Sequence, residues 1–150
     1  MKRFLIPILI IVVFGAGVAT STLFSNWSIS SVTDKASCDL SDESLLREIN
    51  SYRSTKLLLA KDLDGFAQKR SVTVSKNFSH DGFAEGNDYL TKYKFYGENL
   101  YTGNVCYSKT VVDAWYESPT HKAVMLDSGY DSVGFGVTGN YVTAEFGDYR

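Results

Sequence analysis

The chain is poor in the residues from which most catalytic and metal-binding machinery is made: its 150 residues include only two histidines and two cysteines. The cysteines form no Cys-x-x-Cys pair and no cluster with histidine, which excludes the usual structural zinc site. No serine stands in a Gly-x-Ser-x-Gly elbow, so a hydrolase of that design lacks its nucleophile. Basic residues number 15 against 17 acidic ones, and nowhere do they cluster enough to neutralise a run of phosphates. Nucleic acid is therefore excluded as a partner. There is no internal repeat.

What is present describes an ordinary globular domain behind a leader. Apolar residues make up 44% and charged residues 21% of the chain, and its length suits a single core. The formal net charge is −2, and removing Lys2 and Arg3 with a cleaved leader would make it −4. Lys2 and Arg3 precede an uncharged run from Phe4 to Ala19, with the small residues Gly17 and Ala19 near its end. This pattern reads as a secretory signal. Extended to Phe24, the same run approaches the roughly 20 residues of a membrane span, so residues 1–24 are a signal peptide or a signal anchor. Either form places the rest of the chain outside the cytoplasm, with the membrane as a partner only through an uncleaved anchor. The Ser/Thr-rich residues 25–37 read as a linker, and 38–150 as the folded domain.

In an exported domain an even cysteine count favours a disulfide, here Cys38 with Cys106, which would pin two helix starts together. Two free buried thiols are the alternative. Asn26-Trp27-Ser28 and Asn77-Phe78-Ser79 match the N-glycosylation pattern, which matters only in a eukaryotic source.

Within the domain, Ser41 caps a helix whose apolar face is Leu45, Leu46, Ile49 and Tyr52. Leu63, Phe66, Ala67 and Arg70 continue at helical steps toward Lys76. A loop from Asn77 to Gly86 holds His80, and a short helix is expected near Asp88 to Tyr93. Gly97 to Tyr101 reads as a turn or short strand entering the core. Ser108 caps a helix carrying Val111, Val112, Trp115 and Tyr116, and Pro119 fits the first position of a final helix. Val133 to Val137 and Tyr141 to Phe146 alternate as strands joined by a hairpin turn at Thr138-Gly139-Asn140. Helices first and a terminal hairpin predict an α+β fold.

Both histidines lie in short motifs, Ser79-His80-Asp81-Gly82 and Ser118-Pro119-Thr120-His121, with Gly97-Glu98-Asn99-Leu100 between them. Two imidazoles and a carboxylate in this order suggest one cleft, and imidazole is both the commonest metal ligand and the side chain that titrates near neutrality. His121, in a first helical turn, meets the positive end of the helix dipole, which favours its neutral form. The plainer readings are a loop histidine braced by Asp81, a carboxylate holding a turn, and a histidine fixing a helix start. Asn99 is expected to be structural and Trp115 to lie in the core. Ten tyrosines offer flat faces with polar tips, and Tyr93, Tyr96, Tyr101, Tyr107 and Tyr116 flank the motifs.

The ordered set Ile49-Asn50-Ser51-Tyr52-Arg53, Phe78-Ser79-His80-Asp81, Tyr96-Gly97-Glu98-Asn99-Leu100, Ala114-Trp115, Ser118-Pro119-Thr120-His121 and Val133-Gly134-Phe135-Gly136 resembles the CAP superfamily, also called the SCP domain. That family comprises cysteine-rich secretory proteins, antigen 5 and pathogenesis-related 1 proteins. The resemblance covers about residues 40 to 147. It implies an α-β-α sandwich with a small central antiparallel sheet, an extracytoplasmic location, and a cavity lined by two histidines and two acids that sometimes holds a divalent metal. His80, Glu98 and His121 match three of the four positions. In the eukaryotic pattern the fourth acid falls at Ser118 here. Glu117 is one residue earlier, a rotation of about 100° on a helix. The Trp-x-x-Ser-Pro-x-His form is similar to the bacterial branch.

Three functions follow as expectations. The first is a non-enzymatic binding module for a lipid, peptide, cell-wall or small-molecule ligand, working either without a cofactor or through Zn²⁺ or a similar cation held by His80 and His121. The second is a peptidase-like hydrolase in which Glu98, as general base, and a histidine activate water. The third is a structural envelope protein with a vestigial cleft.

Overall fold

A computed structural model describes residues 38–83 and 90–149. The leader, the linker and part of the His80 loop, with the start of the expected helix at Asp88, lie outside the described residues. Of that helix the structure shows a single 3₁₀ turn, Leu90–Lys92.

Four helices and four strands follow one another as α1 (Asp42–Tyr52), β1 (Leu58–Leu59), α2 (Lys61–Val74), β2 (Tyr93–Thr102), α3 (Ser108–Glu117), α4 (Pro119–Leu126), β3 (Ser132–Thr138) and β4 (Tyr141–Tyr149). The sheet order is β1-β3-β4-β2. The fold is the expected α+β arrangement, but the sheet is mixed. β2, β4 and β3 pair antiparallel, whereas β1 joins β3 in parallel. Two residues are too few to show any period, so β1 left no pattern in the sequence. Among the described residues no helix is long and apolar enough to cross a membrane.

Strand alternation sends successive side chains to opposite faces, and here the two faces meet different helices. Val133, Phe135, Val142, Ala144 and Phe146 pack with Leu45 and Ile49 of α1, Val111, Val112 and Trp115 of α3, and Met125 of α4 in the main core. On the other face β3 presents Gly134 and Gly136. A Cβ on Gly134 would strike the Leu63 and Asp64 backbone, and one on Gly136 the backbone of Ala67 and Gln68. The Val-Gly-Phe-Gly motif is thus a flat bed on which α2 lies backbone to backbone, held by Thr143 Oγ1 donating to the Ala67 carbonyl at 2.8 Å.

Local chemistry sets the helix ends. Ser41 caps α1 in a reciprocal box with Ser44. Ser44 Oγ also meets Ser108 Oγ at 2.5 Å, joining the starts of α1 and α3. Ser108 is the first residue of α3 rather than its cap, which is Tyr107. Ser118 is extended, as a residue before proline tends to be, and this breaks α3 from α4 with Pro119 opening α4. Cys38 and Cys106 form a disulfide. Just past α1, Arg53 donates from Nη1 to the carbonyls of Met125 (2.6 Å) and Asp127 (2.9 Å), from Nη2 to that of Tyr130 (2.9 Å), and from Nε to that of Thr55 (3.0 Å). The predicted hairpin turn is present, with Gly139 at φ 58°.

Candidate functional site

Arg70 continues the apolar stripe of α2 but carries a charge, and at 4% exposure that charge must be met. Its Nε donates to Glu98 Oε2 at 2.7 Å and its Nη2 to Glu98 Oε1 at 3.0 Å, a two-point ion pair. Burial works against the guanidinium charge, but the hydrogen bond and charge of Glu98 outweigh it and raise the Arg70 pKa. The remaining donors reach the carbonyls of Asp81 (3.1 Å, from Nη1) and Ser79 (3.2 Å, from Nη2). One guanidinium thus fixes both a strand carboxylate and the backbone on either side of His80.

His80 closes the set. Its Nδ1 lies 2.8 Å from Glu98 Oε1, and since an ionised carboxylate only accepts, Nδ1 carries the proton. With the proton on Nδ1, the uncharged form of the ring presents Nε2 as an acceptor, and the side chain is 58% exposed. The carboxylate behind it is 1% exposed.

His121 sits in the first turn of α4, half-buried. Burial and then the nearby His80 hold its pKa below the usual 6.5. Neither of its ring nitrogens has a hydrogen-bond partner among the described residues. Its carbonyl accepts from Asn99 Nδ2 at 2.9 Å, so the fully buried Asn99 pins the start of α4, a structural role as expected. Trp115 is core, with Nε1 donating to the Leu100 carbonyl at 3.0 Å. Glu117 is exposed at the last position of α3, with no hydrogen bond or ion pair to His80, Glu98 or His121 among the described residues.

Two site residues escaped the sequence reading. Arg70 was visible only as a member of the α2 apolar period. Glu145 falls between Ala144 and Phe146 in the β4 alternation, and nothing in that pattern marks it as part of a site. In the structure it is fully buried under α2, directly opposite Glu98 in the strand register. Burial, then the charge and hydrogen-bonding contact of Glu98, raise its carboxyl well above the ordinary range, with Arg70 acting in the opposite sense.

A groove of about 390 Å³ is distinct in its lining from this cluster: it is formed by Lys94, Phe95, Tyr96, Asp127, Gly129 and Tyr130, with none of His80, Glu98 and His121 among them. Phe83 links the two, since its N–H donates to the His80 carbonyl at 3.1 Å and its ring meets that of Tyr96 edge-on at 5.6 Å. Among the described residues no group of three or more His, Cys, Asp or Glu is placed to hold a metal ion.

Residues 46–146 match the cysteine-rich secretory protein family, CAP, and the chain belongs to that family. Its fold is similar to that of an extracellular SCP-domain protein from Bacillus anthracis (TM-score 0.62, 22% identity, covering 71% of this chain and 39% of that one). It is also similar to an outer surface protein of Borrelia burgdorferi (TM-score 0.60, 21% identity, 72% of this chain and 92% of that one). A third similar structure is a cysteine-rich secretory protein of Staphylococcus aureus (TM-score 0.60, 25% identity, 71% of this chain and 38% of that one). The chain thus spans about two fifths of the Bacillus and Staphylococcus proteins. Comparison with curated proteins gave no match.

Proposed function

We propose that this CAP domain is an extracytoplasmic, non-enzymatic binding module whose ligand meets His80 and His121 and extends along the Phe95 and Tyr96 groove. The observation that carries the reading is the state of Glu98. Its carboxylate is shielded from water and already accepts two bonds from Arg70 and one from His80. A group so engaged is a poor base toward water, which removes the main support for hydrolysis. It is a good brace for an imidazole, and the exposed His80 Nε2 together with the His121 ring, which has no hydrogen-bond partner among the described residues, leaves acceptors for a ligand. The groove adds the rings of Phe95 and Tyr96, with Lys94 and Asp127 for polar groups, a mixture suited to a lipid, peptide or cell-wall fragment. The disulfide and the extracellular or surface character of the similar proteins support the location.

A divalent cation held by His80 and His121 is a second form of this reading, and the electrostatic influence of His80 on His121 is consistent with it. With Glu98 engaged, such an ion would take its other donors from water or ligand, so its affinity should be micromolar at best. Calorimetric titration of the full chain with Zn²⁺ is expected to show weak binding that His80→Ala and His121→Ala each abolish; heats unchanged in both variants remove the cation. For the module itself, the full chain should co-sediment with purified peptidoglycan or with lipid vesicles, and retention should fall in both histidine variants. Retention indifferent to both excludes the cleft and returns the structural envelope role. Turnover of a peptide substrate that collapses on Glu98→Gln would restore the hydrolase.

A further inference from the structure

The interior beside the cleft holds two carboxyl groups and one cation. Glu98 and Glu145 are paired residues of β2 and β4, side by side on the face covered by α2, while on the far side of Glu145 the register partner is Gly134. Among the described residues the charged groups that act on Glu145 are Glu98 from β2 and Arg70 from α2, and its register partner on β3 is Gly134. Arg70 spends its donors on Glu98 and on the Ser79 and Asp81 carbonyls. Among the described residues no donor reaches either oxygen of Glu145, and what lies against them is the Glu98 carboxyl. Two ionised carboxylates cannot hydrogen bond, and a second buried negative charge would stand unpaired. A single proton resolves both problems.

We propose that Glu145 is the fourth member of the site: it keeps its proton in the folded protein and donates it to Glu98, fixing the carboxylate that orients His80. The buried set is then electrically balanced, with one guanidinium, one carboxylate and one neutral acid. Glu98 accepts from Arg70 twice, from His80 and from Glu145, so its plane cannot turn and His80 is held as the Nδ1–H tautomer with Nε2 outward. Glu145 is a positioning residue, touching the ligand only through Glu98 and His80. Burial, then Glu98, push its carboxyl pKa upward, in keeping with this state. The inference deepens the binding reading and rests on it for its purpose, but its test needs no ligand.

Three measurements on the full chain decide it. Infrared spectra at neutral pH should show the carbonyl stretch of a buried protonated carboxylic acid, absent in Glu145→Gln; without that band Glu145 is ionised and the proposal falls. Imidazole ¹⁵N shifts should report the single Nδ1–H tautomer of His80 in the wild type and in Glu145→Gln, whose amide still donates, but a tautomer mixture in Glu145→Leu. A leucine variant with an unchanged His80 signature would show that Glu145 positions nothing. Should the leucine variant fail to fold, the pH profile of the glutamine variant still decides. The unfolded chain ionises Glu145 while the folded one keeps it neutral, so the folded wild type loses ground as pH rises above the ordinary carboxylate range. The advantage of Glu145→Gln in the folding equilibrium should therefore grow by about tenfold per pH unit through that window. A difference that stays flat with pH overturns the assignment. Failure of peptidoglycan or vesicle binding would leave all three results standing, and failure of these would leave binding untouched.

Discussion

A guanidinium that is almost wholly buried and gives two bonds to a carboxylate and two to backbone carbonyls has a shape that an ammonium cannot copy. Arg70→Met leaves Glu98 buried without its countercharge, and urea unfolding should record a loss of about 3–5 kcal/mol, the usual cost of breaking such a pair from one side. Arg70→Lys should recover only part of it. His121 supplies the acid-side prediction. Its folded value lies below the unfolded 6.5, through burial and then His80. The folded state thus favours the neutral ring, and its stabilising contribution is complete above the unfolded value and lost as pH falls through it toward the depressed one. Relative to His121→Gln, the wild type should lose stability in urea unfolding as pH falls through 6.5, a modest loss because the half-exposed ring is screened by water. At this scale His80, Glu98 and His121 were legible because histidine is scarce and its neighbours form motifs. Arg70 and Glu145 were not, because a charged residue in an apolar period or a strand alternation gives no sign of which face another helix will cover.

Among the elements, α2 and β3 are the pair on which the site depends, since α2 carries Arg70 and lies directly on Gly134 and Gly136. A methyl group at either glycine meets helix backbone rather than a movable side chain. Gly134→Ala and Gly136→Ala should each cost about 1–3 kcal/mol in urea unfolding, with larger values where α2 cannot shift. Both should also disturb the His80 imidazole signals, because α2 carries the Arg70 anchor with it. The helices α1, α3 and α4 were readable from apolar spacing and from Ser41 and Pro119. β2 was read as a short piece near Gly97 but runs over ten residues, Tyr93–Thr102. Its register shifts between Tyr93 and Tyr96, so the inward and outward positions do not alternate through the strand start.

For the whole molecule, the disulfide ties the first described residue of the domain to the approach of α3 across 68 positions. A β-bridge between Asp39 and Tyr107 lies beside it. The chain-entropy account assigns a loop of that size about 4 kcal/mol, so the Cys38→Ser, Cys106→Ser double variant should unfold at a correspondingly lower urea concentration with the same sheet and helices. The α+β class was legible from the order of helices before the hairpin; the parallel β1 was not, since parallel pairing is a long-range contact without a local signature. Arg53 gives the molecule a further property. The polypeptide leaves that side chain, passes through α2, β2, α3 and α4, and returns to it at Met125, Asp127 and Tyr130, a circuit closed by one non-covalent clasp. Arg70, His80, Glu98 and His121 all lie on this circuit. The stretch that carries these four is thus closed on itself by Arg53, independently of the disulfide, while Glu145 reaches it from β4 outside the circuit.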